Sequence, residues 1–193
     1  DAVANYHRAI AIKPDFVEAH TNLGVTLQEP GKFDGAVASY RSALAIKSDS
    51  AELHANLGNT LAQLGRPGEA AVSYQDALAI NPDYAEAHNN FGNLLKAFGK
   101  IDDALARYQK ALAIKPDYAE ASYNLGTALH GLGRLNEAVD HIRKSIDIRP
   151  DYAEAHNNLG IVLHKLGQLD EAADQIRKAL ALKPGHVKAH NNL

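Results

Sequence analysis

Ala85-Glu86-Ala87-His88-Asn89-Asn90-Phe91-Gly92 returns as Ala119-Glu120-Ala121-Ser122-Tyr123-Asn124-Leu125-Gly126 and again as Ala153-Glu154-Ala155-His156-Asn157-Asn158-Leu159-Gly160. The offset is 34 residues each time. Self-similarity at a fixed period of roughly 20 to 50 residues marks an array of small supersecondary units, each too small to bury its apolar faces alone. Extending the register in both directions divides residues 1–193 into a half unit 1–16, five full units 17–50, 51–84, 85–118, 119–152 and 153–186, and a truncated helix 187–193, all parts of one array.

Inside each unit the residues predict two helices. After a loop ending in Pro-Asp, the stretch Asp83-Tyr84-Ala85-Glu86 reads as a capping box, an acidic N-cap followed three residues later by Glu. The same spacing joins Asp15 to Glu18, Asp49 to Glu52, Asp117 to Glu120 and Asp151 to Glu154. Such a cap contributes about 0.5–2 kcal/mol to the helix it starts. The first helix is expected to stop at Gly31, Gly65, Gly99, Gly133 and Gly167, where a left-handed residue ends a helix without a side-chain penalty. In the second helix Ala104, Tyr108, Ala111 and Leu112 recur at helical spacing and form one apolar stripe, while Gly92 and Ala104 permit close approach of the paired backbones. Pro30 is expected to shorten the first helix of unit 17–50, and Pro67 falls at a helix start, where proline is tolerated.

Composition narrows the function. With 46% hydrophobic and 22% charged residues the chain is a folding one, and with only 6% aromatic residues its core rests on small and aliphatic side chains. A net charge of -3 gives no footprint for nucleic acid, and no apolar run approaches the length needed to span a bilayer. The absence of cysteine excludes disulfides, thiolate metal sites and a cysteine nucleophile. The cytoplasm is the favoured compartment, although missing cysteine alone does not distinguish it from an exported one. The lack of any methionine, position 1 included, points to an internal piece of a longer protein. Asp1 then falls inside a second helix and Leu193 inside a first helix, so the array ends without a polar capping helix and its C-terminal end is expected to be sticky.

Each unit resembles the tetratricopeptide repeat: a 34-residue period, Leu-Gly (here Phe91-Gly92) in the first helix, small residues at Ala104 and Ala111 around Tyr108, and a terminal Pro116. The first-helix Trp of that family is replaced by His20, His54, His88, Ser122 and His156. The resemblance implies an all-α solenoid, a right-handed superhelix of tandem helix-turn-helix units, with first helices lining its concave face and second helices forming the outer wall.

On those first helices the sixth position is Asn22, Asn56, Asn90, Asn124 and Asn158, with Asn192 in the terminal stub. Asparagine is a middling helix former, so its recurrence requires a reason. One reason is recognition: an amide offers a donor and an acceptor that match the N–H and C=O of an extended peptide. The other is packing against a neighbouring unit, or descent from one ancestral copy. The array is also similar to that of O-linked N-acetylglucosamine transferases, in which an asparagine ladder binds extended substrate peptides through their backbones. That resemblance carries over to these five positions but implies no transferase activity. Nearby, Asn59 and Asn93 stand where Val25 and Ile161 are apolar, while Asn89, Tyr123 and Asn157 precede ladder residues, and this mixture is expected to set side-chain preference. The Lys/Arg clamp by which some relatives grip a terminal carboxylate is missing beside the ladder.

No chemistry requiring an asymmetric catalytic cluster is legible, and no catalytic residue, metal ligand or cofactor is assigned. The ten histidines mostly follow the repeat. His130 and His164 fall one unit apart, on the order of 10 Å between neighbouring helices, too far to share a metal. His186 lies at or before a helix start beside Gly185, so its spacing from His190 makes no helical ligand pair. The expected function is non-enzymatic: binding of a protein or peptide, with no nucleic-acid or membrane partner. The alternatives are a spacer assembling head to tail into longer superhelices, or the substrate-recruiting array of a larger enzyme such as a glycosyltransferase.

Overall fold

The computed structural model describes residues 2–29, 31–185 and 187–192. Among them all regular structure is helical: α1 (Ala2–Ile12), α2 (Val17–Gln28), α3 (Phe33–Ile46), α4 (Ala51–Gln63), α5 (Pro67–Ile80), α6 (Ala85–Ala97), α7 (Ile101–Ile114), α8 (Ala119–Gly131), α9 (Leu135–Ile148), α10 (Ala153–Lys165), α11 (Leu169–Leu182) and the single turn α12 (Val187–His190).

The helix starts depart from the expected capping box. The N-cap positions are Phe16, Ser50, Tyr118 and Tyr152, one residue after the acidic residue, and only Ser50 caps with its side chain, accepting from Leu53 N–H at 3.3 Å. The cause is the preceding turn. Tyr118 N–H bonds the Lys115 carbonyl at 3.2 Å, which places Pro116 and Asp117 at the centre of a four-residue turn and uses Asp117 there. The same closure joins Phe16 to Lys13 and Tyr152 to Arg149. The glutamates remain in the first turn, where negative charge complements the helix dipole. Two also tie a helix start to the end of the paired helix: Glu120 accepts from Arg149, and Glu154 from Lys183 at 2.9 Å.

The helix ends follow expectation. Gly65 has φ 75°, its N–H bonds Ala62 O at 3.2 Å, and Arg66 N–H reaches back to Leu61 O at 2.9 Å, the two bonds of a Schellman cap. The same pair of bonds closes α2, α6, α8 and α10. Pro67 is the first residue of α5, where its missing N–H costs nothing. With 12 residues, α2 is one shorter than α4, with 13. Pro30, expected to shorten it, lies outside the described residues, as do Asp1, His186 and Leu193.

The chain forms two compact bodies, Asp1–Leu94 and Leu95–Leu193. In the first, α1 packs on α2, α2 on α3, α3 on α4 and α4 on α5. Tyr40 and Tyr74 are buried in it, and the Phe91 ring stacks 5.7 Å from Tyr74. In the second, α7 through α12 pack consecutively, and Tyr108, Leu125, Ile142, Leu159 and Leu163 share one core. Ala104 and Ala111 are fully buried beside Tyr108, and Leu112 packs at the cluster's edge, as the stripe predicts.

The two buried tyrosines of the first body differ in one respect. Tyr74 donates its hydroxyl to Asn59 Oδ1 at 2.6 Å, fifteen residues earlier. At the same register Val25 stands in the place of Asn59, and the buried Tyr40 hydroxyl has no hydrogen-bond partner among the described residues. A buried unpaired hydroxyl costs about 1–3 kcal/mol. Val25→Asn is therefore expected to raise stability by about 1 kcal/mol, seen as a higher thermal midpoint, with Val25→Ala as the control that gives no rise.

Burial also sets the alkaline limit. It pushes the Tyr40 phenol up to about 12, with Glu52 adding to the effect, and the Tyr152 phenol up to about 12, chiefly by burial. Burial raises Tyr74 and Tyr108 as well. Unfolded tyrosine ionises near pH 10. A raised folded value thus gives stability that is complete below pH 10 and lost as pH climbs toward 12. Phenolate absorbance and helicity followed together from pH 9 to 12.5 are expected to change in one cooperative step above pH 10.

Candidate functional site

The sixth residue of each first helix lies on the face that also carries the third-following residue, Val25, Asn59, Asn93, Thr127 or Ile161. Asn22 is exposed, and Asn56, Asn90, Asn124 and Asn158 are half-buried. Identical in sequence, these residues differ in what they touch.

In the first body the Asn22 and Asn56 amides bond to no described residue, although their backbone carbonyls accept from Thr26 and Thr60, each at 2.8 Å. Asn90 is engaged at both ends. Its Nδ2 donates to Asn59 Oδ1 at 3.0 Å, the oxygen that also receives the Tyr74 hydroxyl, and its Oδ1 accepts from Asn89 Nδ2 at 3.1 Å. In the second body Asn158 is held similarly: Nδ2 donates to the Tyr123 hydroxyl at 2.7 Å and Oδ1 accepts from Asn157 Nδ2 at 3.3 Å. Asn157 Oδ1 in turn accepts from Asn192 at 2.9 Å. The Tyr123 ring lies 4.9 Å from Tyr152, and burial followed by the Glu154 charge raises its phenol pKa.

This geometry separates the side chains that sequence reasoning grouped together. Asn89 and Asn157 are buried, 4% and 2% exposed, and each donates to the asparagine that follows it. Asn59 and Tyr123 are half-buried and link one first helix to the next. Asn93 is exposed. In the first body a cavity of ≈ 240 Å³ is lined by Asn22 with Val17, Thr21, Lys47, Ser50 and Leu53 among others. A second, of ≈ 260 Å³, is lined by Arg41, Leu57, Glu69 and Val72 among others and includes no ladder residue.

The recurrent histidines have a specific structural task. Nε2 of His20, His54, His88, His156 and His190 lies 2.9, 3.1, 3.0, 2.9 and 2.8 Å from the carbonyl six residues earlier, that of Pro14, Ser48, Pro82, Pro150 and Pro184. A carbonyl only accepts, so Nε2 carries the proton and the ring pins the turn before its helix. Where Ser122 replaces histidine, its hydroxyl is buried with no partner among the described residues. Among the described residues no group of three or more His, Cys, Asp or Glu side chains is placed to hold a metal ion, and no helix is long and apolar enough to cross a membrane.

Comparison with known proteins agrees with this architecture. A family model described as TPR repeat matches residues 1–31, 27–65, 58–97 and 92–133, and a second, described as tetratricopeptide repeat, matches 117–184. Among curated proteins none matches the chain. Among solved structures, MamA is 28% identical with a TM-score of 0.74, covering 86% of this chain and 97% of its own. YrrB, described as a TPR protein with an unusual peptide-binding site, is 22% identical with a TM-score of 0.72, covering 96% of both chains. The Cut9–Hcn1 hetero-tetramer of the APC/C matches with a TM-score of 0.85 at 21% identity, covering 99% of this chain and 38% of the other.

Proposed function

The chain belongs to the tetratricopeptide repeat family, and on that premise we propose that it is a non-enzymatic protein-binding module that holds an extended peptide through asparagine amides on its first helices. The observation that carries the reading is the pair Asn22 and Asn56: recurrent asparagines whose amides serve no described residue, one of them lining a cavity. A helix does not favour asparagine, and here packing does not demand it. Neighbouring packed helices stand about 8–10 Å apart, and an extended chain advances about 3.3–3.6 Å per residue. Each ladder amide therefore meets about every third residue of a bound segment.

Recognition of this kind reads main chain more than side chain, as in the O-linked N-acetylglucosamine transferase arrays that this sequence resembles. The peptide-binding site of YrrB, which is similar in fold, supports the same reading. If the parent protein is an enzyme, the array recruits its substrate by the same contacts. The test is a peptide-display selection on the parent chain beside Asn22→Ala/Asn56→Ala, with helicity matched. Enrichment on the parent alone supports the ladder, and equal enrichment on both overturns it.

A further inference from the structure

Lys96 closes the last turn of α6 and is half-buried, and burial pushes its ammonium below the usual lysine value. Its hydrogen-bond partner is the Thr127 hydroxyl at 3.3 Å, and no carboxylate among the described residues lies within ion-pair reach of it. Thr127 spends its own proton on the Asn124 carbonyl at 2.9 Å, so its oxygen is the acceptor that faces the ammonium. One turn further along α8, His130 Nε2 is buried and has no partner among the described residues. Burial first, then the Lys165 charge from α10, hold the His130 imidazole below its ordinary value. Lys165 and His164 end α10 exposed. All of these residues belong to the second body.

Cations at helix C-termini have an ordinary explanation, since they complement the negative end of the dipole. That suffices for exposed Lys165. It does not explain an ammonium drawn half out of water without a countercharge, or an imidazole nitrogen buried without a partner, because both arrangements cost free energy until something pairs them. In the first body the same register holds Gln28 and Ala62, neither charged. Gln28 donates to the Thr60 hydroxyl, so there the position is satisfied internally.

We propose that Lys96, Thr127, His130 and Lys165 form a carboxylate-binding site, completed by an acidic side chain of a bound peptide. The site rests on the peptide-binding reading and adds a chemical preference to it. Asn124 precedes Thr127 by three residues on the same helix, so a main chain held at Asn124 passes beside the cationic row. The carboxylate takes the ammonium of Lys96 and an N–H from neutral His130, with Lys165 at the solvent edge.

The test uses two fluorescent decapeptides, one rich in Asp and Glu and the other its Asn/Gln isostere, titrated onto the full chain at low and moderate salt. The acidic peptide is expected to bind about tenfold more tightly, with the difference shrinking as salt rises. Lys96→Gln/Lys165→Gln is expected to remove that preference and leave affinity for the amide peptide unchanged. In the parent, the acidic peptide alone raises the His130 imidazole titration followed by NMR. Equal affinity for the two peptides, or a preference that survives the lysine substitutions, overturns the site. So does failure of the acidic peptide to bind at millimolar concentration. Asn22→Ala/Asn56→Ala distinguishes the two readings: loss of both peptides with that variant, without any acidic preference in the parent, sinks the carboxylate site and leaves the ladder standing.

Discussion

Gly160→Ala is expected to lower the unfolding free energy by about 1–2 kcal/mol, even though alanine is the better helix former. A Cβ there would lie 2.6 Å from Ile176 Cγ1 and 3.0 Å from the Ala172 carbonyl oxygen. Ile176 is buried in α11, and the carbonyl is backbone, so neither contact relaxes by swinging a flexible side chain aside. Overpacking of this kind costs about 1–3 kcal/mol, against a gain of about 0.5–1 from replacing a helical glycine. Gly126→Ala should behave alike, its Cβ meeting Ile142 Cγ1 at 2.7 Å and Ala138 O at 3.1 Å. Gly131→Ala provides the opposite sign. That glycine is the last residue of α8, and an added Cβ meets nothing within 4 Å, so stability should rise. Urea unfolding of the three variants checks the ranking. A Gly160→Ala protein as stable as Gly131→Ala would mean that α10 and α11 are not in the close contact described.

Asn22→Ala/Asn56→Ala is expected to weaken a display-selected peptide by about ten- to a hundredfold while leaving the melting curve unchanged or slightly higher. Each amide has a net hydrogen-bond contribution of about 0.5–1.5 kcal/mol to offer a ligand, and alanine improves helix propensity at both positions. Alanine scanning of the peptide should have little effect away from any acidic residue, because the contacts address main chain. Asn90→Ala behaves differently. It removes one hydrogen bond of the buried Asn89 and a donor to Asn59, so a stability loss of about 1–3 kcal/mol, at about 0.5–1.5 per bond, accompanies any loss of binding. A ladder that is purely structural predicts equal melting losses at Asn22, Asn56 and Asn90. Isothermal titration alongside calorimetric melting separates the two cases.

The 34-residue period, the glycine stops and the Ala104–Tyr108–Ala111 stripe are local patterns, and the helices follow them. The capping box failed because Asp15, Asp117 and Asp151 answer to two neighbours at once: the turn that precedes the helix claims the residue, and the helix starts one position later. What each ladder asparagine does was illegible because the deciding residue belongs to another unit. Asn59 serves Asn90 from 31 residues away and Tyr123 serves Asn158 from 35. The unpaired Tyr40 hydroxyl is likewise visible only once Val25 is seen to stand at the place of Asn59. The row from Lys96 to Lys165 crosses three helices and has no counterpart in any single repeat, so periodic comparison hides it.

Side-chain amide NMR of the chain, recorded with and without a saturating display-selected peptide, tests main-chain recognition most directly. The Asn22 and Asn56 NH₂ resonances are expected to shift and gain protection from exchange, while the buried Asn157 amide stays where it was. Saturation with the Asn22 and Asn56 amides unmoved would contradict the ladder and place the peptide elsewhere on the helices.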